Sequence, residues 1–339
     1  MRVSPLPGIA ALSVLGVAAP IGLAAHVAEP VTLTLHRPVE RSIARGQEHR
    51  FSVPLAEGDY AAIVIEQRGV DVSATVFDPA GHSVEQVQDE VRPRGEERVD
   101  IAASATGAYV VAVQAAVSAT VSGEYAIEIE TLRRATDADS RMQESRTLRT
   151  RARELEQTGN YAGARPLFEA AIATAEAVSG PDDLWVATTA FELAGNALER
   201  QDNASARALY ERALLIFDRM WGAEHPYPAM ARSRLALLDE RAAQRQKAEA
   251  GIHDALPVLE RTLGTDHPWY IRSLITLADL RESAGDTATP ILPMRPRGMP
   301  GLRVNSVHVS PPSVDLNRPL DGPPLHNCQG LRHASQVAA

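Results

Sequence analysis

The sequence predicts a multidomain protein, β then α: an antiparallel β-sandwich followed by an α-helical solenoid of repeats. Apolar and polar residues alternate along short segments between Val31 and Ile129, and such alternation places every second side chain on the buried face of a strand. Small residues then recur with a constant period between Leu148 and Gly285. A constant period of this kind is typical of stacked helix pairs.

The first 28 residues have the composition of an export signal. Arg2 is followed by an uncharged run over residues 3–25, and small residues near Ala24 and Ala25 offer a cleavage site. We therefore expect a signal peptide at 1–28 and a periplasmic or secreted protein with no membrane contact after cleavage. The run is also long enough to cross a bilayer, so an uncleaved segment would anchor the protein in the membrane.

Residues 31–132 are predicted to form the sandwich. Val31, Leu33 and Leu35 share one face of the first expected strand, and turn residues such as Gly58 and Pro79 separate the later ones. Further strands are expected at residues 51–55, 61–65, 73–77, 98–101, 109–112 and 125–129. Short strands at this spacing favour an antiparallel sandwich.

Short motifs in this segment resemble the bacterial pre-peptidase C-terminal domain, a small jelly-roll-like sandwich. They are Arg-Phe-Ser-Val at 50–53, Gly-Asp-Tyr at 58–60, Gly-Val-Asp at 69–71, Asp-Pro-Ala-Gly at 78–81, and Gly-x-Tyr at 107–109 and 123–125. The resemblance implies an accessory domain of a kind that sometimes binds carbohydrate, protein or calcium. Asp71 and Asp78 suit calcium as carboxylates, but their turn positions favour a turn-forming role.

The repeat array is predicted at 145–285, after a linker at 133–144. Gly180, Gly222 and Gly264 are 42 residues apart. The same interval separates Ala164, Ala206 and Ala248; Ala171, Ala213 and Ala255; Leu193, Leu235 and Leu277; and Trp185, Tyr227 and Trp269. Each unit contains two helices, at 187–199 and 205–220 in the second unit. Three helix pairs are expected, plus one unpaired helix at about 270–282.

The repeat motifs resemble the tetratricopeptide repeat in its 42-residue, kinesin-light-chain-like form. They are Tyr-Ala-Gly-Ala-Arg-Pro-Leu-Phe-Glu at 161–169, Tyr-Glu-Arg-Ala-Leu at 210–214, and Gly-x-x-His-Pro at 222–226 and 264–268. The third unit departs from the pattern because Gly251 and Pro257 fall inside its second helix. A proline in mid-helix costs ~3 kcal/mol and favours a kink, so this unit is predicted to be the weakest.

The resemblance implies that a protein or peptide partner binds the concave surface lined by the first helix of each pair. Position in the repeat nominates eight residues: Arg149, Arg153, Glu156, Phe191, Leu198, Ser233, Arg234 and Glu240. Arg149 and Arg153 are one helical turn apart and would suit a carboxylate of the partner. The alternative is that these arginines only keep an exposed helix soluble.

Residues 286–339 break the period, since Pro290 and Arg297 stand where small residues are expected and Ser306 where glycine is. We expect a disordered or frameshifted tail. If the tail is frameshifted, another reading frame of the gene should resume the repeat. Cys328 and His326 are neighbours in this segment, but a nucleophile and its base need a folded pocket.

The composition excludes several classes of function. The net charge of −9 argues against a nucleic acid partner, and one cysteine excludes a disulfide framework. The sequence contains no phosphate-binding loop, zinc-protease motif or serine-hydrolase elbow. We therefore expect no catalytic residue, metal or cofactor, and the composition indicates no particular small-molecule ligand. His225 and His267 precede prolines in repeat loops, which favours packing over metal binding.

The predicted function is that of an exported, non-enzymatic protein–protein interaction module. The order of its parts also resembles the N-terminal part of bacterial proteins that carry tetratricopeptide repeats before a caspase-like peptidase, the CHAT domain. The alternative is therefore a truncated regulatory part of a CHAT-type peptidase that lacks its catalytic domain. A third possibility is a carbohydrate- or calcium-binding surface on the sandwich.

Overall fold

The computed structural model of the protein describes residues 29–116 and 122–283. The predicted signal peptide and the predicted tail lie outside these residues. The strands are β1 Val31–Thr32, β2 Val39–Ile43, β3 Glu48–Leu55, β4 Asp59–Arg68, β5 Val72–Phe77, β6 Ser83–Val87, β7 Arg94–Ala102, β8 Gly107–Ala115 and β9 Gly123–Arg134. The helices are α1 Asp137–Gln157, α2 Tyr161–Ser179, α3 Leu184–Glu199, α4 Asn203–Met220, α5 Pro226–Arg241, α6 Arg245–Leu263 and α7 Pro268–Ser283.

The strands form two sheets that enclose one apolar core. One sheet has the order β1-β3-β8-β5-β6 and the other β2-β9-β4-β7. Side chains of β5 alternate between buried and half-buried, as the sequence pattern predicts. Phe51, Ile63, Val111 and Ile127 meet in the core between the sheets. The predicted sandwich followed by a helical solenoid is confirmed, with the difference that the short β1 pairs parallel to β3.

The sequence pattern does not predict two of the strands, β2 and β6, and both lie at an edge of a sheet. β2 is mostly exposed, so its residues carry little apolar alternation. β6 has the sequence Ser-Val-Glu-Gln-Val and buries Glu85, a polar residue that the pattern places outside. Glu85 faces α1 instead of solvent, because Arg146 of that helix lies 3.2 Å from its carboxylate. Glu85 lies on the same face of β6 as Val87, which packs in the sandwich core.

The predicted linker at 133–144 differs in the structure. β9 extends to Arg134, and α1 begins at Asp137. Thr136 and Asp139 form a reciprocal capping box at the start of α1, which satisfies amides that would otherwise lack partners. Arg133 pairs with Asp139 at 2.6 Å and ties the end of the strand to the first turn. The sandwich and the solenoid are therefore joined by two residues and lie in contact.

The helices pack as the period predicts. Ala164, Ala206 and Ala248 have no exposed surface, since they lie where the helices of a pair approach each other. Gly180 and Gly222, which follow the second helices, have φ of 90° and 77°, a region that favours glycine.

In the third unit α6 continues through Pro257 from Arg245 to Leu263. Its N-cap residue Gln244 makes no side-chain capping hydrogen bond, whereas Asp202 caps the equivalent helix α4. Within residues 29–116 and 122–283, no helix combines the length and the apolar content needed to cross a membrane.

Candidate functional site

The candidate site lies on the side of α1, α3, α5 and α7 that carries Arg149, Phe191, Tyr227 and Trp269, which we name the concave face. The ring of Phe191 on α3 lies 6.2 Å from that of Tyr227 on α5 and 5.7 Å from that of Trp269 on α7. Helices α3 and α7 are separated by a whole repeat unit along the chain. Direct contact between their side chains shows that this face curves inward.

A segment of the sandwich occupies one end of the concave face. Residues 86–92, which run from the end of β6 into the loop before β7, are named the docking segment. Arg153 on α1 donates to the carbonyl oxygen of Gln86 at 2.7 Å, and Arg149 lies 3.4 Å from a carboxylate oxygen of Asp89. Val91 is 8% exposed and belongs to the buried cluster that contains Phe191. The segment therefore contacts the solenoid through a carbonyl, a carboxylate and an aliphatic side chain.

Residues of the sandwich also bind the backbone of the docking segment. The buried carboxylate of Glu97 accepts hydrogen bonds from the backbone amides of Asp89 at 2.9 Å and Glu90 at 3.0 Å. Gln67 donates to the carbonyl oxygens of Glu90 and Arg92 at 3.4 and 3.3 Å. Burial and the nearby charge of Asp89 raise the pKa of Glu97 well above its ordinary value, although both amides favour its anion.

Arg149 is the most enclosed cation of the interface, with 1% of its surface exposed. Its guanidinium carbon lies 3.5 Å from the centroid of the Trp185 ring, and Nη1 donates to Thr188 Oγ1 at 3.2 Å. Burial lowers the pKa of Arg149, and the positive charge of Arg153 lowers it further. The carboxylates of Asp89 and Glu192 act in the opposite direction.

Arg153 and Glu192 link α1 to α3 beside the docking segment. Two nitrogens of Arg153 donate to the two carboxylate oxygens of Glu192, at 2.8 and 2.5 Å. Burial alone would raise the pKa of Glu192, but Arg153 and Arg149 hold it below its usual range. Such a forked pair fixes the direction of the arginine, which can then aim its remaining nitrogen at Gln86.

The other predicted binding residues are distributed differently. Glu156 accepts from Asn196 at 2.7 Å, and burial raises the pKa of Glu156 to about 7. Leu198 is buried between helices, and Ser233 shares a 2.6 Å hydrogen bond with Ser273 of α7. These contacts place Leu198 and Ser233 inside the helix packing. Glu240 is half-buried in the last turn of α5.

Arg234 lies at the end of the concave face away from the docking segment. Its guanidinium carbon is 4.7 Å from the centroid of the Trp269 ring, and that of Arg272 is 6.0 Å from the same ring. Burial and the charge of Arg234 lower the pKa of Arg272 to about 10. The charge of Glu199 acts in the opposite direction on Arg272, so a carboxylate offsets part of the positive charge at this end.

Several residues of the site escape the sequence prediction. Asp89 and Val91 belong to a polar loop after a strand that the pattern does not reveal, and Glu192 has no repeat-specific signal. Trp185 shares its 42-residue register with Tyr227 and Trp269. This 42-residue spacing could have identified Trp185 as a site residue, because it places an aromatic side chain at the start of the first helix in each of three repeats.

A second groove lies between α2 and α4, with a volume of about 390 Å³. Its lining holds two ion pairs, since Arg165 lies 2.6 Å from Glu169 and Arg212 contacts Glu176, and the remaining charged residues, Arg200 and Asp202, have opposite signs. These pairs leave little net charge there for a ligand of one sign, so the concave face is the better candidate.

Three of the residues considered for calcium and other metals, Asp78, His225 and His267, form turn or capping hydrogen bonds. Asp78 accepts hydrogen bonds from the backbone amides of Ala80 and His82, as a turn-forming aspartate does. His225 and His267 cap α5 and α7 by accepting from the amides two residues later, at 3.4 and 3.2 Å. Across residues 29–116 and 122–283, no three His, Cys, Asp or Glu side chains group in a way that would hold a metal ion.

A family model matches part of the helical region. The family model of the tetratricopeptide repeat matches residues 143–219, which span α1 to α4. No curated protein matches the sequence.

Among solved structures, the chain is similar to BtubC (BKLC) from P. vanneervenii, with 18% identity over 52% of this chain and 74% of that chain and a TM-score of 0.41. A kinesin-light-chain-type protein of Podosopora anserina with nearly identical TPR-like repeats has 23% identity over 42% of this chain and 66% of that chain, with a TM-score of 0.38.

The pre-peptidase C-terminal domain of a collagenase from Bacillus anthracis is also similar, with 13% identity over 30% of this chain and 95% of that chain and a TM-score of 0.25.

The family match covers two helix pairs that the 42-residue period predicts. Residues 143–219 therefore match the tetratricopeptide repeat, a repeat type that supports protein–protein interaction.

Proposed function

We propose that the chain is an exported, non-enzymatic module that binds an extended segment of a protein partner on its concave face. One observation carries the proposal: residues 86–92, a loop-forming segment of the chain's own sandwich, are seated on that face. Arginines receive its carbonyl and carboxylate groups, and an aromatic cluster receives its aliphatic side chain. A surface that takes up these groups from its own chain has the chemistry to take them up from another protein.

The composition of residues 1–28 supports a periplasmic or secreted location. Fractionation of bacterial cells that express the full chain tests this part of the proposal. The full chain is expected outside the cytoplasm in a shortened form, and a chain without residues 1–28 is expected to stay in the cytoplasm at full length. Equal distribution of both chains would contradict export.

Peptide binding is tested by selecting a phage-displayed library of random peptides on the immobilised full chain. Peptides with a shared pattern are expected to emerge. They should lose at least tenfold in affinity on the Arg234→Glu, Arg272→Glu chain, because reversal of both charges repels an acidic ligand. Arg151→Glu is the matched control, since Arg151 is exposed on α1. Failure to enrich any pattern would sink the proposal, and equal binding by both variants would place the ligand at the α1–α3 end of the concave face.

A further inference from the structure

The docking segment presents its groups to the solenoid at fixed spacings. The carboxylate of Asp89 faces Arg149, and Val91, two residues later, joins the aromatic cluster of Phe191 and Tyr227. Gln86 supplies a backbone carbonyl, which any residue at its position would supply. Side-chain recognition therefore rests on an acidic residue followed two positions later by an aliphatic one.

Charge and shape at the receiving surface match this pattern. Arg149 and Arg153 bring two positive charges to α1, and Glu192 is engaged by Arg153. Asp89 supplies the second negative charge, so its removal would leave Arg149 with excess positive charge in a buried position. Val91 belongs to the same buried apolar cluster as Tyr227, Phe191 and Trp269. An aliphatic side chain at this place removes aromatic surface from water.

The docking segment is held by the sandwich as well as by the solenoid. Its amides bond to Glu97 and its carbonyls to Gln67, both within the sandwich. Because these hydrogen bonds fix the segment to the sandwich, the segment leaves the concave face together with the sandwich, which also separates Arg146 from Glu85 and Asp100. Its departure would break the polar interactions with Arg149 and Arg153 and would uncover Val91. A partner with a carboxylate and an aliphatic side chain at the same spacing would replace these interactions.

We propose that the docking segment is an internal stand-in for the partner. The α1–α3 end of the concave face recognises a partner segment of the pattern acidic residue, any residue, branched aliphatic residue, and that segment displaces residues 86–92. This inference rests on the proposed peptide-binding function and names its ligand chemistry. It also makes the sandwich a competitive regulator, because the partner and the sandwich bind the same groups.

The competition has a measurable consequence. A tethered ligand competes at an effective concentration in the millimolar range, so the native chain binds an external segment more weakly than a chain whose docking segment is released. A variant that carries Asp89→Asn and Val91→Ser loses the two recognised side chains and keeps the backbone bonded to Glu97. We expect this release variant to bind the external segment at least tenfold more tightly than the native chain.

The probe is a fluorescein-labelled synthetic peptide with the sequence of residues 86–92, titrated with the full chain and followed by anisotropy. The Glu96→Gln chain is the matched control, since Glu96 is exposed on β7 near the docking segment, and it should bind like the native chain. Peptides with asparagine for the aspartate or serine for the second valine should each lose at least fivefold in affinity. Equal binding by native and release chains, or by all three peptides, overturns the inference.

A second measurement on the native chain keeps the inference testable if the release variant does not fold. Saturating unlabelled peptide should move the methyl resonances of Val91 from their buried positions towards those of a solvent-exposed valine. Unchanged Val91 resonances at saturation overturn displacement. The two proposals fail in different ways: library peptides that bind without the acidic-x-aliphatic pattern refute only this inference, and the absence of any binding peptide refutes the proposed function.

Discussion

The guanidinium carbon of Arg149 lies 3.5 Å from the ring centroid of Trp185, and this stack stands at the junction of sandwich and solenoid. Arg149 reaches Asp89 of the sandwich on one side and Thr188 of α3 on the other. A buried cation is tolerated only where aromatic faces, hydrogen bonds and opposite charges replace water. One side chain thus joins three parts of the fold.

Replacement of Arg149 by alanine should destabilise the protein by about 2–3 kcal/mol. The change removes the cation stacked on Trp185 and the positive charge that faces Asp89, while Glu192 keeps its pair with Arg153. Urea denaturation of the full chain, followed by circular dichroism, measures the free energy of unfolding. Arg151→Ala is the control, because Arg151 is exposed on the same helix, and it should change that free energy by less than about 0.5 kcal/mol. Equal effects of the two substitutions would contradict the role of Arg149.

The sequence predicts the helices much better than the junction. Repeated alanines such as Ala164 and Ala206 record local helix packing, which recurs every 42 residues and is therefore visible as a period. The contact of Arg149 with Asp89 joins residues 60 positions apart in two different folds, and no local pattern encodes it. Helix position nominates Arg149 and Arg153 for the concave face, but it predicts that they are exposed. Their burial follows from the docking segment, which only the three-dimensional arrangement reveals.

The titration of Glu85 should lower the free energy of unfolding as the pH rises from about 4.5 to about 8. Burial raises the pKa of Glu85 from 4.5 to about 8 and outweighs the attraction of Arg146. Between these two values the folded protein holds a proton that the unfolded chain releases, so folding weakens as the pH increases. Glu85→Gln removes this titration while preserving the shape of the side chain.

The measurement compares the free energies of unfolding of the native chain and Glu85→Gln at several pH values from about 4.5 to about 8. The native value minus the variant value should decrease steadily across this interval. Glu96→Gln serves as the control, since Glu96 is exposed on β7. A difference that stays constant or grows with pH would show that Glu85 is not protonated in the folded state.

The titration of His225 should lower the free energy of unfolding as the pH falls, in the direction opposite to Glu85. Burial and the charge of Arg92 lower the pKa of His225 from 6.5 to about 4, and its neutral ring accepts the hydrogen bond that caps α5. Stability is therefore lost as the pH falls from about 6.5 to about 4, because the unfolded chain takes up the proton first.

Asparagine is also a good N-cap, so His225→Asn should keep the cap and lose the titration. The variant is expected to lose less stability than the native chain between about pH 6.5 and pH 4, as measured by denaturation at each pH. His253→Asn is the control, because His253 is exposed on α6. If the two histidine variants show the same slope of stability against pH, the cap is not responsible.

The third repeat should gain stability from a better cap. Asp202 and Gln244 occupy the same position 42 residues apart, with φ and ψ of −84° and 71° at Asp202 and −90° and 57° at Gln244. Asp202 accepts from the amide of Ser205 at 3.1 Å, whereas the longer side chain of Gln244 forms no capping bond. Because the backbone geometry is nearly the same, aspartate at 244 should cap α6 through the amide of Lys247.

Gln244→Asp is expected to raise the free energy of unfolding by about 1 kcal/mol, and the reciprocal Asp202→Gln to lower it by about 1 kcal/mol. Hydrogen exchange of the α6 amides should slow in the first variant, since each repeat contributes its own stability to the array. Unchanged exchange in α6 together with unchanged unfolding would show that the missing cap is not what weakens the third repeat.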